Sequence, residues 1–237
     1  MDSAVLKCIL TSNELSINND HLCTEIKRNE MRVKTEAKRD AIVQVASEVF
    51  RELGFEGASM VEIAARVGGS RATLYGYFKS KEELFVAVIH ASAKIHFEPI
   101  FTALAEEGDE DLARVLQRFG EKVLAAMCSQ EVIQAHRAVI AESGRSDIGR
   151  LFFEGGPKKG VAELAGFLER QMRKGRLRTS EPTTAAHHLM ALLDSETVRP
   201  SLLGIQGPLT RRELREATRR AVQVFLGGYA SATQPAG

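Results

Sequence analysis

From Thr35 onward, apolar residues recur at helical spacing almost without interruption, and nowhere do they alternate in the manner of a half-buried strand. Ile42, Val45, Ala46, Val49, Phe50 and Leu53 mark a first helix, which Gly54 is placed to stop. Ser59-Met60-Val61-Glu62 has the form of a capping box and opens a second helix whose apolar face is Val61, Ile63, Ala64 and Val67. Gly68-Gly69 ends that helix, and Ser70 caps a short third one running to about Phe78. Ser80-Lys81-Glu82-Glu83 repeats the capping pattern ahead of a long fourth helix carrying Leu84, Phe85, Val88 and Ile89, with Pro99 expected at its end or at a kink. Further helices are expected near 111–128, 130–143, 157–174, 181–196 and 210–229, with a short piece at 147–153. The fold class is all-α: a three-helix N-terminal head and a larger helical domain.

Residues 1–31 lack this pattern; Ser16-Ile17-Asn18-Asn19-Asp20 reads as a loop and the segment as a mobile tail. The expected organisation is a tail over 1–31, a head over 32–80, a helical regulatory domain over 81–230 and a second tail over 231–237. Cys8, Cys23 and Cys128 match neither a disulfide framework nor a zinc spacing, so no metal or cofactor is expected and the thiols read as reduced. No uninterrupted apolar run approaches a membrane span, and Asp2 and Lys7 spoil a signal peptide, so a cytoplasmic protein without a membrane partner is expected.

The chain carries 32 basic and 31 acidic residues, which excludes a globally basic mode of nucleic-acid binding and directs attention to local patches. One exists. Between Glu62 and Glu82 there is no acid, while Arg66, Arg71, Lys79 and Lys81 lie there. Two short helices joined by a Gly-Gly-Ser turn form a helix-turn-helix pattern. On the third helix Leu74 and Phe78 face inward, whereas Ala72, Thr73 and Gly76 form a small-residue face that can approach a major-groove floor. Tyr75 and Tyr77 flank that face with hydroxyls for phosphate oxygens, or pack as ordinary tyrosines. Arg71, in the first turn, has the reach and geometry for a guanine edge. Gly76 costs about 1 kcal/mol relative to alanine in a helix interior, which points to a steric demand from DNA or from a neighbouring helix.

The run Val61-Glu62-Ile63-Ala64 … Gly68-Gly69-Ser70-Arg71-Ala72-Thr73-Leu74-Tyr75-Gly76-Tyr77-Phe78-Lys79-Ser80-Lys81-Glu82-Glu83-Leu84-Phe85 resembles the DNA-binding domain of the TetR/AcrR family of transcriptional regulators, over about residues 35–90. Gly69 departs from the apolar residue usual before the recognition helix. The resemblance implies a homodimer that sets the helix at 71–77 of each subunit into successive major grooves of a palindromic double-stranded operator. It implies that Arg71 and Ala72 face bases and that Thr73, Tyr75, Tyr77 and Lys81 hold phosphates. Ser59 and Met60 at the second helix, and Thr35 and Lys38 at the first, are further contacts implied by the likeness. His136-Arg137-Ala138-Val139-Ile140-Ala141-Glu142, Gly149-Arg150-Leu151-Phe152-Phe153-Glu154, Gly175-Arg176-Leu177-Arg178 and Ala221-Val222-Gln223-Val224-Phe225-Leu226-Gly227-Gly228-Tyr229 resemble the AefR-like branch of C-terminal domains, whose members are similar to repressors of efflux and stress genes.

Such a domain must dimerise and sense. Leu189, Leu192, Leu193, Val222, Phe225 and Leu226, on the last two long helices, are expected at the dimer interface, in the subunit's own core, or in both. Phe97, Phe101, Phe119, Met127, His136, Phe152 and Phe153 are candidates to line a cavity for a small apolar inducer, with ordinary core packing as the competing reading. His187 and His188 are adjacent and point to different sides of a helix, which makes them poor joint metal ligands. The chain has no phosphate-loop, zinc-protease or dinucleotide motif, so an enzyme is not expected. An activator or ligand-independent regulator, and a helical scaffold without DNA, are the other readings.

Overall fold

The computed structural model describes the backbone of residues 18–231 and the side chains from Thr35 onward. Eleven helices follow one another in these residues: α1 (Asn18–Gly57), α2 (Met60–Val67), α3 (Arg71–Tyr77), α4 (Lys81–Ala105), α5 (Leu112–Met127), α6 (Gln130–Glu142), α7 (Ile148–Gly155), α8 (Pro157–Arg173), α9 (Pro182–Ser195), α10 (Val198–Leu202) and α11 (Arg211–Tyr229). Among the described residues the only extended pairing is one antiparallel bridge, Leu177 with Ala230. The chain is all-α.

Serine and threonine hydroxyls cap the starts of five of these helices. Ser59, Ser70 and Ser80 accept the backbone N–H of Glu62, Thr73 and Glu83 and so define the starts of α2, α3 and α4. At Ser80 the returning carboxylate is offset by one residue, because Glu83 accepts the N–H of Lys79 at 2.7 Å. The complete reciprocal box stands elsewhere, at Thr210 and Glu213, and opens α11.

Two apolar cores result. The first joins Ile42, Ala46 and Val49 of α1 to Ile63 of α2, Leu74 of α3, the following Phe78, and Leu84, Phe85 and Val86 of α4. Phe85 packs against Phe50 and Phe55 with ring centroids 4.9 Å away in each case. This core extends past the head, for Val139 of α6 and Ile148 of α7 are buried in it. The second joins Ile100 and Leu104 of α4 to α5, α8, α9 and α11. Helix α4 is thus built into the first core at one end and into the second at the other.

Three expectations change. Residues 18–31, read as part of a mobile tail, continue α1. No glycine or proline occurs between Asn18 and Leu53, so nothing breaks a helix already nucleated at 35–53. Residues 1–17 and 232–237 of the expected tails lie outside the described residues. Gly54 stops the first helix as expected, its φ of 70° and ψ of 175° being non-helical, and a separate short helical segment follows to Gly57. Pro99 lies inside α4, which runs on to Ala105. Pro99 and Ile95, whose carbonyl it cannot serve, are both exposed, so water can take the missing donor's place. Helix α4 is also long and apolar enough to cross a membrane by length and composition, although charged residues interrupt its apolar run. Here its apolar residues Leu84, Phe85, Ile100 and Leu104 are spent on the two cores.

Candidate nucleic-acid interface

The tight connection from α2 to α3 depends on Gly68, whose left-handed φ of 70° lets its N–H bond the carbonyls of Ala64 and Ala65. Two residues later Ser70 caps α3. The seven-residue helix then has one buried side chain, Leu74, and is anchored at its end by the fully buried Phe78. Arg71, Ala72, Thr73 and Gly76 are exposed, and Tyr75 is half exposed at 50%. The small-residue face read from the sequence is therefore an open outer surface. Tyr77 sits differently from Tyr75, because it is partly buried against the head core.

Gly76 has a clear local explanation to reject. A methyl built there meets nothing within 4 Å, so no neighbouring helix requires the glycine. Of the two steric demands considered, only an external one remains.

The basic residues divide. Arg66 is committed within the head, to Glu52 at 2.6 Å and Glu62 at 2.8 Å, and these two carboxylates raise its pKa further. Lys81 donates to the carbonyl of Phe55 at 2.8 Å and lies 4.3 Å from the centre of the Phe55 ring. That bond closes the end of α1 onto α4, so a phosphate would have to compete for this ammonium. Arg71 and Lys79 have no side-chain partner among the described residues. Thr73 shares its hydroxyl with Ser70 at 2.9 Å. Ser59 is exposed, whereas the Met60 side chain is buried in the head core and only its backbone stands at the start of α2. Thr35 and Lys38 are exposed on α1. Arg39, which the motif reading did not single out, places its guanidinium 4.8 Å over Phe78 and ties α1 to the end of α3.

The seven proposed ligand contacts do not gather around one space. Phe97, Phe101, Phe119 and Met127 pack in or on the second core, where Phe101 and Phe119 meet edge to face at 5.6 Å. Phe119 borders a cavity of only about 20 Å³, room for about one water. Phe152 belongs with the first core, between two histidines. His136 stands edge-on to its ring at 5.1 Å, and Nε2 of His90 lies 3.1 Å from its carbonyl oxygen. Phe153 is half exposed. Burial lowers the pKa of both His90 and His136, and Nδ1 of His136 is buried with no partner. His90 approaches α7 so closely that a methyl on Gly155 would lie 2.0 Å from its ring.

The proposed interface residues also divide. Leu189, Leu193, Val222 and Phe225 are buried in the subunit's own core, so they are not available to a partner. The helical period hid this because α9 and α11 are apolar toward their neighbours within the chain. Leu192 and Leu226 are partly exposed, and Val224, which was not singled out, is 60% exposed on α11 beside Gly227 and Gly228. No three His, Cys, Asp or Glu side chains converge on a metal-sized site among the described residues.

Comparison with known proteins agrees with this geometry. Residues 42–88 match the model of the bacterial regulatory proteins of the tetR family, and residues 114–231 match the AefR-like transcriptional repressor C-terminal domain. The HTH-type regulator RutR of Escherichia coli K12 is 38% identical over 64 residues, 27% of this chain and 30% of RutR, so the likeness reaches less than a third of that relative. A TetR-type protein of Mesorhizobium loti superposes with a TM-score of 0.71 at 28% identity, covering 82% of this chain and 98% of the other. The flavonoid-responsive regulator FrrA superposes at 0.66 and 29% identity, covering 84% of this chain and all of FrrA.

Proposed function

The chain belongs to the TetR family of bacterial transcriptional regulators, and from that premise we propose that it is a dimeric repressor which binds a palindromic operator and is released by a small apolar or amphipathic ligand. It is a regulator and not an enzyme. The observation that carries the DNA reading is the outer face of α3: Arg71, Ala72, Thr73, Tyr75 and Gly76 are presented to solvent on a helix whose inner residues are locked by the head core. A short rigid helix with a small-residue face suits close approach to base edges, and Arg71 supplies a bidentate donor for guanine. The likeness of residues 114–231 to AefR-like repressors supports repression.

Two heads are needed to read a palindrome, and pairing through α9 and α11 would supply them. Their outward residues Leu192, Val224 and Leu226 are the surface for it. Release by a ligand is supported by α4, which belongs to both cores, and by the name of FrrA, a flavonoid-responsive protein with which the chain shares most of its length. The unpartnered His136 Nδ1 is the polar group an entering ligand would satisfy. A 100-fold loss of DNA affinity requires about 2.7 kcal/mol of differential affinity between the two conformations.

The test is fluorescence anisotropy with the DNA upstream of the chain's own gene beside a scrambled duplex. Selective binding that falls steeply with salt is expected, and Arg71→Ala should cost about 1–3 kcal/mol of selectivity at one base pair of each half-site. Equal behaviour of Arg71→Ala and the native chain on both duplexes would remove α3 as the reader.

A further inference from the structure

Of the four cations between Glu62 and Glu82, the fold has already committed two, Arg66 and Lys81. We propose that Lys79, and not Lys81, is the phosphate clamp at the exit end of the reading helix, while Lys81 holds the head together; this rests on the DNA reading above.

The chain leaves α3 in an extended conformation, with φ −137° and ψ 119° at Phe78 and φ −149° and ψ 168° at Ser80. Successive side chains of an extended segment point to opposite sides. Phe78 is fully buried in the head core, so Lys79 is directed out of it, and Lys79 is exposed. Leu74 and Phe78 mark the inner side of α3. Lys79 therefore stands on the outer side, just past the end of the open face formed by Ala72, Thr73 and Gly76. Its backbone is held as well. Glu83 accepts the Lys79 N–H at 2.7 Å, and the Ser80 hydroxyl in turn accepts the Glu83 N–H at 3.1 Å. An ordinary capping box returns its carboxylate to the N–H of the cap residue itself. Here the offset box holds the residue that carries the ammonium. The Glu83 carboxylate is occupied by that amide, and among the described residues neither it nor Glu82 pairs with the Lys79 side chain.

Lys81 lies two positions on and is spent differently. Its ammonium donates to the Phe55 carbonyl at 2.8 Å and sits 4.3 Å from the centre of the Phe55 ring, which packs in turn on Phe85 of α4. Drawing it to a phosphate would undo that tie. The seven residues of α3 span about 10 Å at 1.5 Å per residue, less than the roughly 12 Å width of a major groove. With the first turn of α3 at the base edges, the chain that leaves its other end rises toward a groove wall, and the walls are phosphate. Arg71 and Lys79, the two uncommitted cations of the segment, thus bracket the reading face. The planar guanidinium suits a guanine edge, and the compact ammonium suits a single phosphate oxygen. A contact of the second kind sets register without reading sequence.

Full-length chains are compared by thermal melting and by the salt dependence of anisotropy, on the operator the native chain selects and on a scrambled duplex. Lys79→Gln should lower the log-log salt slope by about 0.9 for each head that binds. It should weaken both duplexes by a similar factor, so that the preference for operator is kept, and leave the melting midpoint unchanged. Lys79→Arg keeps the charge and should restore the slope. Lys81→Gln should melt earlier than the native chain and, where it is folded, bind with the native slope. A Lys79→Gln chain with the native slope overturns the proposal. So does a Lys81→Gln chain that melts like the native chain and loses slope. Should Lys81→Gln fail to fold, the two Lys79 variants decide by themselves. A native chain that selects no duplex overturns the DNA reading and this proposal with it, whereas native selectivity beside an unchanged slope in Lys79→Gln overturns this proposal alone.

Discussion

Two glycines sit inside helices that matter to this protein, and the two regions around them give opposite reasons for the same residue. In the reading head, a methyl on Gly76 would meet nothing within 4 Å. In the regulatory body, α5 crosses α11 and α9 so closely that a methyl on Gly120 would lie 2.6 Å from Cγ2 of Thr218 and 2.9 Å from Cδ2 of Leu193. Both carry the same helix-propensity cost of about 1 kcal/mol. At Gly120 close packing within the chain offsets that cost. At Gly76 no contact among the described residues offsets it. The body is a packed interior, and the outer face of the head is a surface kept clear.

The substitution that should hurt most is Gly120→Val, expected to lower stability by about 3 kcal/mol through overpacking; urea denaturation reads it, and a midpoint unchanged from the native chain would mean that the crossing has slack. The coupling region comes next. Gly155→Ala puts a methyl on the His90 ring and must break its contact with the Phe152 carbonyl. A loss of about 2 kcal/mol is expected, with His90→Ala in the same chain recovering part of it. Strict additivity in the double-mutant cycle would show that the two residues do not press on each other.

Asp194 tests the body's interior electrostatically. Its carboxyl is pushed up to about 6 by burial, with Arg199 opposing, and Oδ1 has no partner. The folded value lies above the unfolded one, so ionisation works against folding, and the native chain loses stability as pH rises from about 4 through 6. Asp194→Asn should therefore be more stable than the native chain by up to about 2 kcal/mol at pH 8, with the difference gone near pH 4. Thermal melts across that range check it, and a pH-independent difference would deny the cause.

The smallest change in stability is the sharpest comparison. Gly76→Ala should raise stability by about 1 kcal/mol and yet weaken operator binding about tenfold or more, equivalent to about 1.4 kcal/mol. A stabilised variant with native DNA affinity would show that the groove leaves room for a methyl.

Much of the head was legible because its signals are local. Ser59, Ser70 and Ser80 start helices through hydrogen bonds three residues long, and a caps-and-glycine pattern can be read along a line. The outward set Arg71, Ala72, Thr73 and Tyr75 followed from the inward Leu74 and Phe78, because a seven-residue helix leaves few other choices. The body was legible only as a series of helices. Leu189 and Val222 have the spacing of an interface and are core, since period gives a face but not what covers it. Phe97 and Phe152, proposed for one lining, belong to different cores, because Phe97 and Phe101 lie further along α4 than His90 and pack on the second core, whereas Phe152 packs on the first. Lys81 and Arg66, equal contributors to a basic segment in the sequence, are held by Phe55, Glu52 and Glu62, partners up to 26 positions distant.

By itself the sequence determined that this protein is helical, where the reading head lies, and which side of its third helix faces out. Those properties depend on bonds and periods spanning a few residues, and they are set before the chain folds back on itself. Which leucines are interior, why Gly120 is a glycine, which cations are already committed, and that one helix joins the two cores were decided by tertiary structure. Each depends on distances between residues remote in sequence, and helical period carries no information about those.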